Sequence, residues 1–334
     1  MEKIKKFRFS LNGIVLTAAF LGIVFIGTVV NENFLTMKNI LSIFQQMSEM
    51  GIMALGLTIV IITGGNDLAS GTTMGLCAVV SGLCLTSGMP IPLALLISLA
   101  AAVACGCLNA SLVALIGIPP MIATLGTQMF FYGAALVLSK GNSISNIPRE
   151  FYFLGQDKLA GLPLQAVILI LLTIVLAVIL KKKVFGKHLF AIGNNIKASA
   201  YSGIRTVKVL FLAYITCSVL CCIAGNIQVS RVATARADMG YSFLMPCISA
   251  VVLGGTSIDG GIGGVGGIGG VGGTVVGVLI FAMISNIMNL AGISSFWQQL
   301  ATGSILVLVV VFNKITENSK LHLKKMAGKK AASE

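Results

Sequence analysis

Long stretches of this chain carry no charge. Positions 68–139 hold no Asp, Glu, Lys or Arg, and neither do positions 260–313. A helix that crosses the hydrocarbon core of a bilayer needs about 20 mostly apolar residues, so the first run accommodates three such helices and the second two. Shorter uncharged runs at 9–31, 159–180, 209–230 and 239–258 accommodate one each. The stretch from Lys38 to Asp67, interrupted only by Glu49, accommodates another. The pattern predicts an all-α polytopic membrane protein with about ten transmembrane helices.

Polar segments divide these runs. Helix one is expected over Leu11–Val30, as a retained signal-anchor because no clear small-x-small cleavage site follows it. Helix two runs from about Ile40 to Thr63 and ends in a glycine-rich break, TGGNDLASG, at Thr63–Gly71. Later spans are separated by Met89–Pro92, by the GIPP turn at Gly117–Pro120, by a longer segment at Ser139–Pro163 and by a large polar loop at 181–208. Pro120 suits the first turn of helix five, where the missing N–H has no intrahelical role. Helix seven is expected to end near Ser230, with an external segment from Arg231 to Gly240.

Of the 334 residues, 56% are apolar and 10% charged, against about 25% charged in a soluble domain. The net charge of +13 invites a nucleic-acid reading, but position argues otherwise. Most of the 23 basic residues cluster at the N-terminus, in the 181–208 loop and after Lys314. Cytoplasmic loops of membrane proteins are rich in Lys and Arg. The clusters therefore predict a cytoplasmic N-terminus at 1–10, a transmembrane domain at 11–313 with a cytoplasmic loop at about 181–208, and a basic cytoplasmic tail at 314–334. No nucleic-acid partner is implied.

Chemistry is sparse. The eight cysteines (Cys77, Cys84, Cys105, Cys107, Cys217, Cys221, Cys222, Cys247) fall in expected spans without a CxxC pair or a neighbouring His, and read as small apolar filler. There is no GxxxxGK[ST], HExxH or GxSxG. No catalytic residue, cofactor or metal ligand is predicted, and any ATP hydrolysis belongs to a partner. Ionisable groups at membrane depth usually mark function, which singles out Glu49, Asp67 and Asp259. Asp67 and Asp259 follow glycine pairs, and Asp67 is placed to cap the next helix. Glu49 has no evident intramembrane cation, so it is either protonated or turned to an aqueous cavity. Asn109, Gln128, Asn286 and Asn289 lie inside spans and suit bonds between helices or contact with solute.

Two repeats stand out. Apolar runs lead into Gly64–Gly65, followed by Asn66 and Asp67, and into Gly254–Gly255, followed by Thr256 and Ser257. Paired glycine breaks in two halves of a chain either line a transport pathway or allow close helix packing. The second repeat is literal: IGGVGG at Ile262–Gly267 recurs at Ile268–Gly273. This stretch is poor helix material, since each Gly costs about 1 kcal/mol against Ala. In the 181–208 loop, GKHLFAIGNNIKASAYSGI at Gly186–Ile204 suggests a short amphipathic helix, with an apolar stripe at Ala191, Ala198, Ala200 and Ile204, that docks a partner or lies on headgroups.

Together these segments resemble a known family. TGGNDLASG is similar to the "TGGIDLSVG" hallmark of permease subunits of ribose-type bacterial ABC sugar importers. Asn109–Ala110, Pro119–Pro120 and Thr124–Gly126 match its "NG … PPF(I/V)ATLG" stretch. Ala191–Asn195 with Ser202–Ile204 looks like its "AVGGN … SGI" loop, and Ile248–Gly261 resembles its "IAAVVLGGTSLAGG"; NLAGISSFWQQ at Asn289–Gln299 completes the series. The resemblance implies a pore half in the bacterial plasma (inner) membrane that pairs with a second copy or a related permease. It also implies an extracytoplasmic solute-binding protein that delivers a sugar or sugar-like solute, and a separate ATPase subunit. On this transfer Gly193, Asn194, Asn195, Ala198, Ser202, Gly203 and Ile204 form the ATPase-coupling loop. Glu49, Gly64, Gly65, Asn66, Asp67, Asn109, Gly254 and Gly255 are candidates for the translocation pathway or its helix breaks. An ion-coupled secondary transporter, with Glu49 or Asp67 as coupling acid, is the alternative.

This chain departs from the family pattern at Asn66 and Ala69–Ser70, and the second IGGVGG copy looks like a six-residue insertion. If the insertion impairs transport, deleting one copy raises solute uptake by cells; unchanged uptake contradicts that reading.

Overall fold

The computed structural model describes residues 11–257, 260–261, 270–294, 296–305, 307–308 and 311. The basic termini, Asp259, the whole first IGGVGG copy and the start of the second lie outside these residues. In chain order the helices are α1 (Leu11–Val30), α2 (Met37–Ile62), α3 (Ser70–Thr86), α4 (Ile91–Ala110), α5 (Pro120–Ser139), the short α6 (Phe153–Gln156), α7 (Leu164–Lys182), α8 (Val184–Asn194), α9 (Ile196–Tyr201), α10 (Thr206–Val232), α11 (Tyr241–Leu253) and α12 (Val271–Leu290). A two-residue hairpin, β1 (Lys158–Leu159) against β2 (Leu162–Pro163), precedes α7.

Among the described residues, six helices are long and apolar enough to cross a membrane: α2, α4 with its extension to Leu115, α5, α7, α10 and α12. Leu16–Val30, α3 and α11 are apolar and shorter. The fold is that of an all-α polytopic membrane protein.

The centre is α2. Every residue from Met47 to Ile62 is buried, as expected of a helix that is apolar on all sides. It is enclosed by α7, α10, α11 and α12. The outer helices show the opposite pattern, with Phe25 of α1, Leu96 of α4, Phe130 of α5 and Leu171 of α7 exposed. Lipid tails are as apolar as these side chains, so they drive little association by themselves, and close packing between helices carries the load. Gly106 shows how close that packing is: a Cβ there would sit 2.7 Å from the Ile215 Cα, so the backbones of α4 and α10 touch.

The segment between α5 and α7 is fastened to the end of α10. The Gly155 N–H donates to Ser230 Oγ at 2.8 Å, and Ser230 Oγ donates to the Phe151 carbonyl at 2.7 Å. Gln156 Nε2 reaches the carbonyls of Ser230 and Arg231.

Two expectations change. The 181–208 loop forms two helices, α8 and α9, divided at Asn195. Val271–Gly273, expected to resist helix formation, make the first turn of α12. Gly273 lies directly against Gly254, an approach that a side chain would block.

Candidate functional site

The two glycine breaks end their helices in the same way. At the end of α2, the Gly64 N–H bonds the Ile61 carbonyl and the Gly65 N–H bonds the Val60 carbonyl. At the end of α11, the Gly255 N–H bonds Val252 and the Thr256 N–H bonds Val251. Both pairs are the Schellman arrangement, which calls for a left-handed residue just past the cap. Gly64 (φ 77°) and Gly255 (φ 91°) supply it, while Thr63 and Gly254 hold the equivalent cap positions. The weak sequence repeat is thus a repeated backbone structure.

Beyond the first break the chain makes an Asx turn into α3. Asp67 Oδ1 accepts from the Ala69 N–H at 3.0 Å and from Asn109 Nδ2 of α4 at 3.3 Å. The Ser70 hydroxyl donates to the Asp67 carbonyl at 2.8 Å. Thr124, at the start of α5, donates to the Asn66 carbonyl at 3.1 Å. Asp67 and Asn109 are fully buried. Asp67 therefore lies in the protein interior, where the turn ties α3, α4 and α5 together, instead of at a wetted helix end.

The α2 break is met by Gly260–Gly261, a glycine pair beyond the α11 break, and α8 lies against both. The Gly261 N–H donates to the Ile62 carbonyl, the last of α2, at 3.0 Å. A Cβ on Gly260 would lie 2.6 Å from Gly64 N and Cα and 3.1 Å from the Gly193 carbonyl. A Cβ on Gly193 would overlap the Ile62 carbonyl and the Gly261 amide. Three backbones therefore touch at Ile62, Gly193 and Gly260–Gly261, with the Asn194 side chain against Gly261. Gly260 (φ 82°) and Gly261 (φ 69°) were not singled out in the sequence, although a further Gly pair behind GGTS was a visible sign.

The remaining loop residues build and expose α9. The Asn195 side chain accepts from the Ala198 N–H at 3.0 Å, capping α9, and Ser202 Oγ bonds back to the Ala198 carbonyl at 2.9 Å. Gly203 turns the chain at φ 83°. Asn194, Asn195, Ala198, Ser202 and Gly203 are exposed, while Gly193 and Ile204 are half-buried. The buried side of the loop is Gly186, Leu189, Ile192 and Ser199, not the stripe of Ala191, Ala198, Ala200 and Ile204. Tyr201 is 92% exposed and Ile196 47%.

Glu49 requires a correction, because it does have a cation. Arg231 Nε donates to Glu49 Oε1 at 2.6 Å and Nη2 donates to Oε2 at 3.0 Å, a bidentate pair. The Glu49 side chain is fully buried and that of Arg231 is 31% exposed. Arg231 was assigned to the loop after helix seven, but α10 continues to Val232 and turns the guanidinium back onto α2. The partners are 182 positions apart, so no local pattern connects them.

These features define a polytopic membrane protein with two matching helix breaks, in which the end of α2, the glycine pair beyond the α11 break and one interhelical loop share a backbone junction. The chain belongs to the family described as branched-chain amino acid transport system / permease component, whose model matches residues 39–310. It is 35% identical over 301 residues to the ribose import permease protein RbsC of Bacillus subtilis (strain 168), covering 88% of this chain and 91% of that protein. It is 34% identical over 293 residues to the autoinducer 2 import system permease protein LsrD of Escherichia coli (strain K12), covering 86% of this chain and 87% of that one. The same figures hold for LsrD of Shigella flexneri. No solved structure matches.

Removing one partner of a buried ion pair costs about 3–5 kcal/mol, because the other is left uncompensated; with Arg231 partly exposed, the lower end applies. Thermal unfolding of the purified protein in detergent should show Arg231→Met lowering stability by about 3 kcal/mol. Adding Glu49→Gln to that variant should restore part of the loss. Additive losses would contradict the pairing.

Proposed function

We propose that this chain is the membrane-spanning permease subunit of an ATP-binding cassette importer for a sugar or sugar-like solute, located in the bacterial plasma membrane. In this reading a solute-binding protein delivers the solute from the extracytoplasmic side, and a separate ATPase subunit supplies the energy. The pore forms between two permeases, this chain with a second copy or a related one, in contact with membrane lipid. The relatives named for ribose import and for autoinducer 2 import support a small solute of that class.

The observation that carries the proposal is the seating of the α8–α9 loop against the end of α2 and the glycine pair beyond the α11 break. A loop with one face on the breaks and the other exposed suits a protein whose pore is moved from outside the membrane. The proposed docking face is Ile196, Lys197, Ala198, Ala200, Tyr201 and Ser202, all exposed. Exposed Ile196 and Tyr201 supply apolar and aromatic area of the kind that a partner surface covers. Against ion coupling, Glu49 is held by Arg231 in a bidentate pair, so it is not an acid standing free in a pathway.

The test is co-purification of the tagged permease from membranes of the cells that produce it naturally. Wild-type protein should retain a two-P-loop ATPase, and Lys197→Glu with Tyr201→Ala should reduce its yield at least roughly tenfold, equivalent to about 1.4 kcal/mol of binding. Uptake that survives without the ATPase and collapses with an uncoupler would replace this reading with the ion-coupled one.

A further inference from the structure

We infer that the buried turn between α2 and α3 holds one monovalent alkali cation, sodium or potassium, seated on the unpartnered oxygen of Asp67 between α4 and α10. The ion is resident in the fold and does not cross the membrane, so the inference is independent of how the importer is powered.

The first observation is a charge with nothing opposite it. Among the described residues two carboxylates are fully buried, Glu49 and Asp67. Glu49 is balanced by Arg231. The groups that bear on the Asp67 carboxylate are the Ala69 N–H, the Asn109 amide and the Cys217 thiol, all of them uncharged. An isolated ionised carboxylate is among the costliest groups to take out of water, and buried charges are accordingly paired or bound to metal ions.

The second observation is where unsatisfied oxygens collect. Both strong donors to Asp67 sit on Oδ1, and Oδ2 is buried without a hydrogen-bond partner; the nearby thiol is a weak donor. Asn109 commits its Nδ2 to that carboxylate, and its own Oδ1 is buried and unpartnered. Tyr214 of α10 is fully buried, and its hydroxyl has no partner either. That hydroxyl lies against the same turn, 3.0 Å from where a Cβ on Gly65 would sit. Buried polar atoms in folded proteins nearly always have a partner, and an ion or ordered water is the usual explanation where the chain offers none. Here the turn, α4 and α10 each bring an unsatisfied oxygen to one place.

The chemistry of these oxygens selects the occupant. A water molecule bonds such groups and leaves the charge of Asp67 uncompensated, whereas a cation answers both needs. Carboxylate, amide and phenol oxygens are hard donors, suited to hard cations. A single positive charge neutralises the site, and a divalent ion would leave an excess in the interior. The ion joins the α2 break to α4 and α10. The absence of a side chain at Gly65 keeps the Tyr214 hydroxyl uncrowded.

The experiment is thermal unfolding of the purified full-length permease in detergent, exchanged into N-methylglucamine chloride and titrated with sodium or potassium chloride at constant ionic strength. The midpoint should rise saturably with at least one of the two, by about 3 °C or more. Asp67→Asn keeps the shape, removes the charge and should abolish the rise. Tyr214→Phe deletes one ligand oxygen and should raise the half-saturating concentration about fivefold; it serves if the Asp67 variant does not fold. Equal wild-type midpoints in sodium, potassium and N-methylglucamine would overturn the inference and assign Oδ2 to a water or a proton. A rise that persists unchanged in Asp67→Asn would also overturn it, by placing the ion elsewhere. Either failure leaves the importer reading standing, because that reading is tested by retention of the ATPase.

Discussion

A helix that stops where its last carbonyls are buried from water leaves acceptors that another part of the chain must satisfy. The central helix of this protein stops at Ile62, enclosed by four other helices, and much of the architecture follows from how that ending is completed. The terminal turn folds back on itself through Gly64, and the remaining carbonyl is bonded by Gly261. A bond of that kind requires a second chain segment to arrive as bare backbone, which explains why glycines converge there from three separate parts of the sequence. That segment lies beyond the matching turn at the end of α11, and α8 closes over the contact.

The buried charges serve the same frame. Arg231 reaches from the end of α10 to Glu49 within α2, so the two most central helices are joined by a bidentate pair. Asp67 organises the chain just after the break, accepting from Ala69 and Asn109. Ion pairs and buried polar turns add little net stability when complete, yet they penalise any arrangement that leaves one partner alone. They fix which helices lie together. The glycine junction, built almost wholly of backbone, is the part suited to move as a unit.

The uncharged runs made most of the helices legible, because a segment must be apolar along its whole length to cross a bilayer, whatever its neighbours do. Helix two was expected from about Ile40 to Thr63 and runs from Met37 to Ile62. The glycine breaks were legible as a repeat, since Gly is needed wherever a helix ends in a left-handed turn. Two kinds of feature were not. The Glu49–Arg231 pair joins residues 182 positions apart, and no spacing rule spans that distance. The buried side of the loop was misread for a local reason. A single helical phase was carried from Ala191 to Ile204, whereas the extended backbone at Asn195 (φ −165°) resets it, so Leu189, Ile192 and Ser199 turn inward.

Hydrogen–deuterium exchange on the intact permease–ATPase complex, with and without a non-hydrolysable ATP analogue, tests the shared junction most directly. If the three backbones move as one body, amides of residues 60–66, 190–195 and 254–261 change protection together on nucleotide binding. A change confined to 190–195, with both breaks unaltered, would contradict the account and leave the loop as a docking site without a mechanical link to the pore.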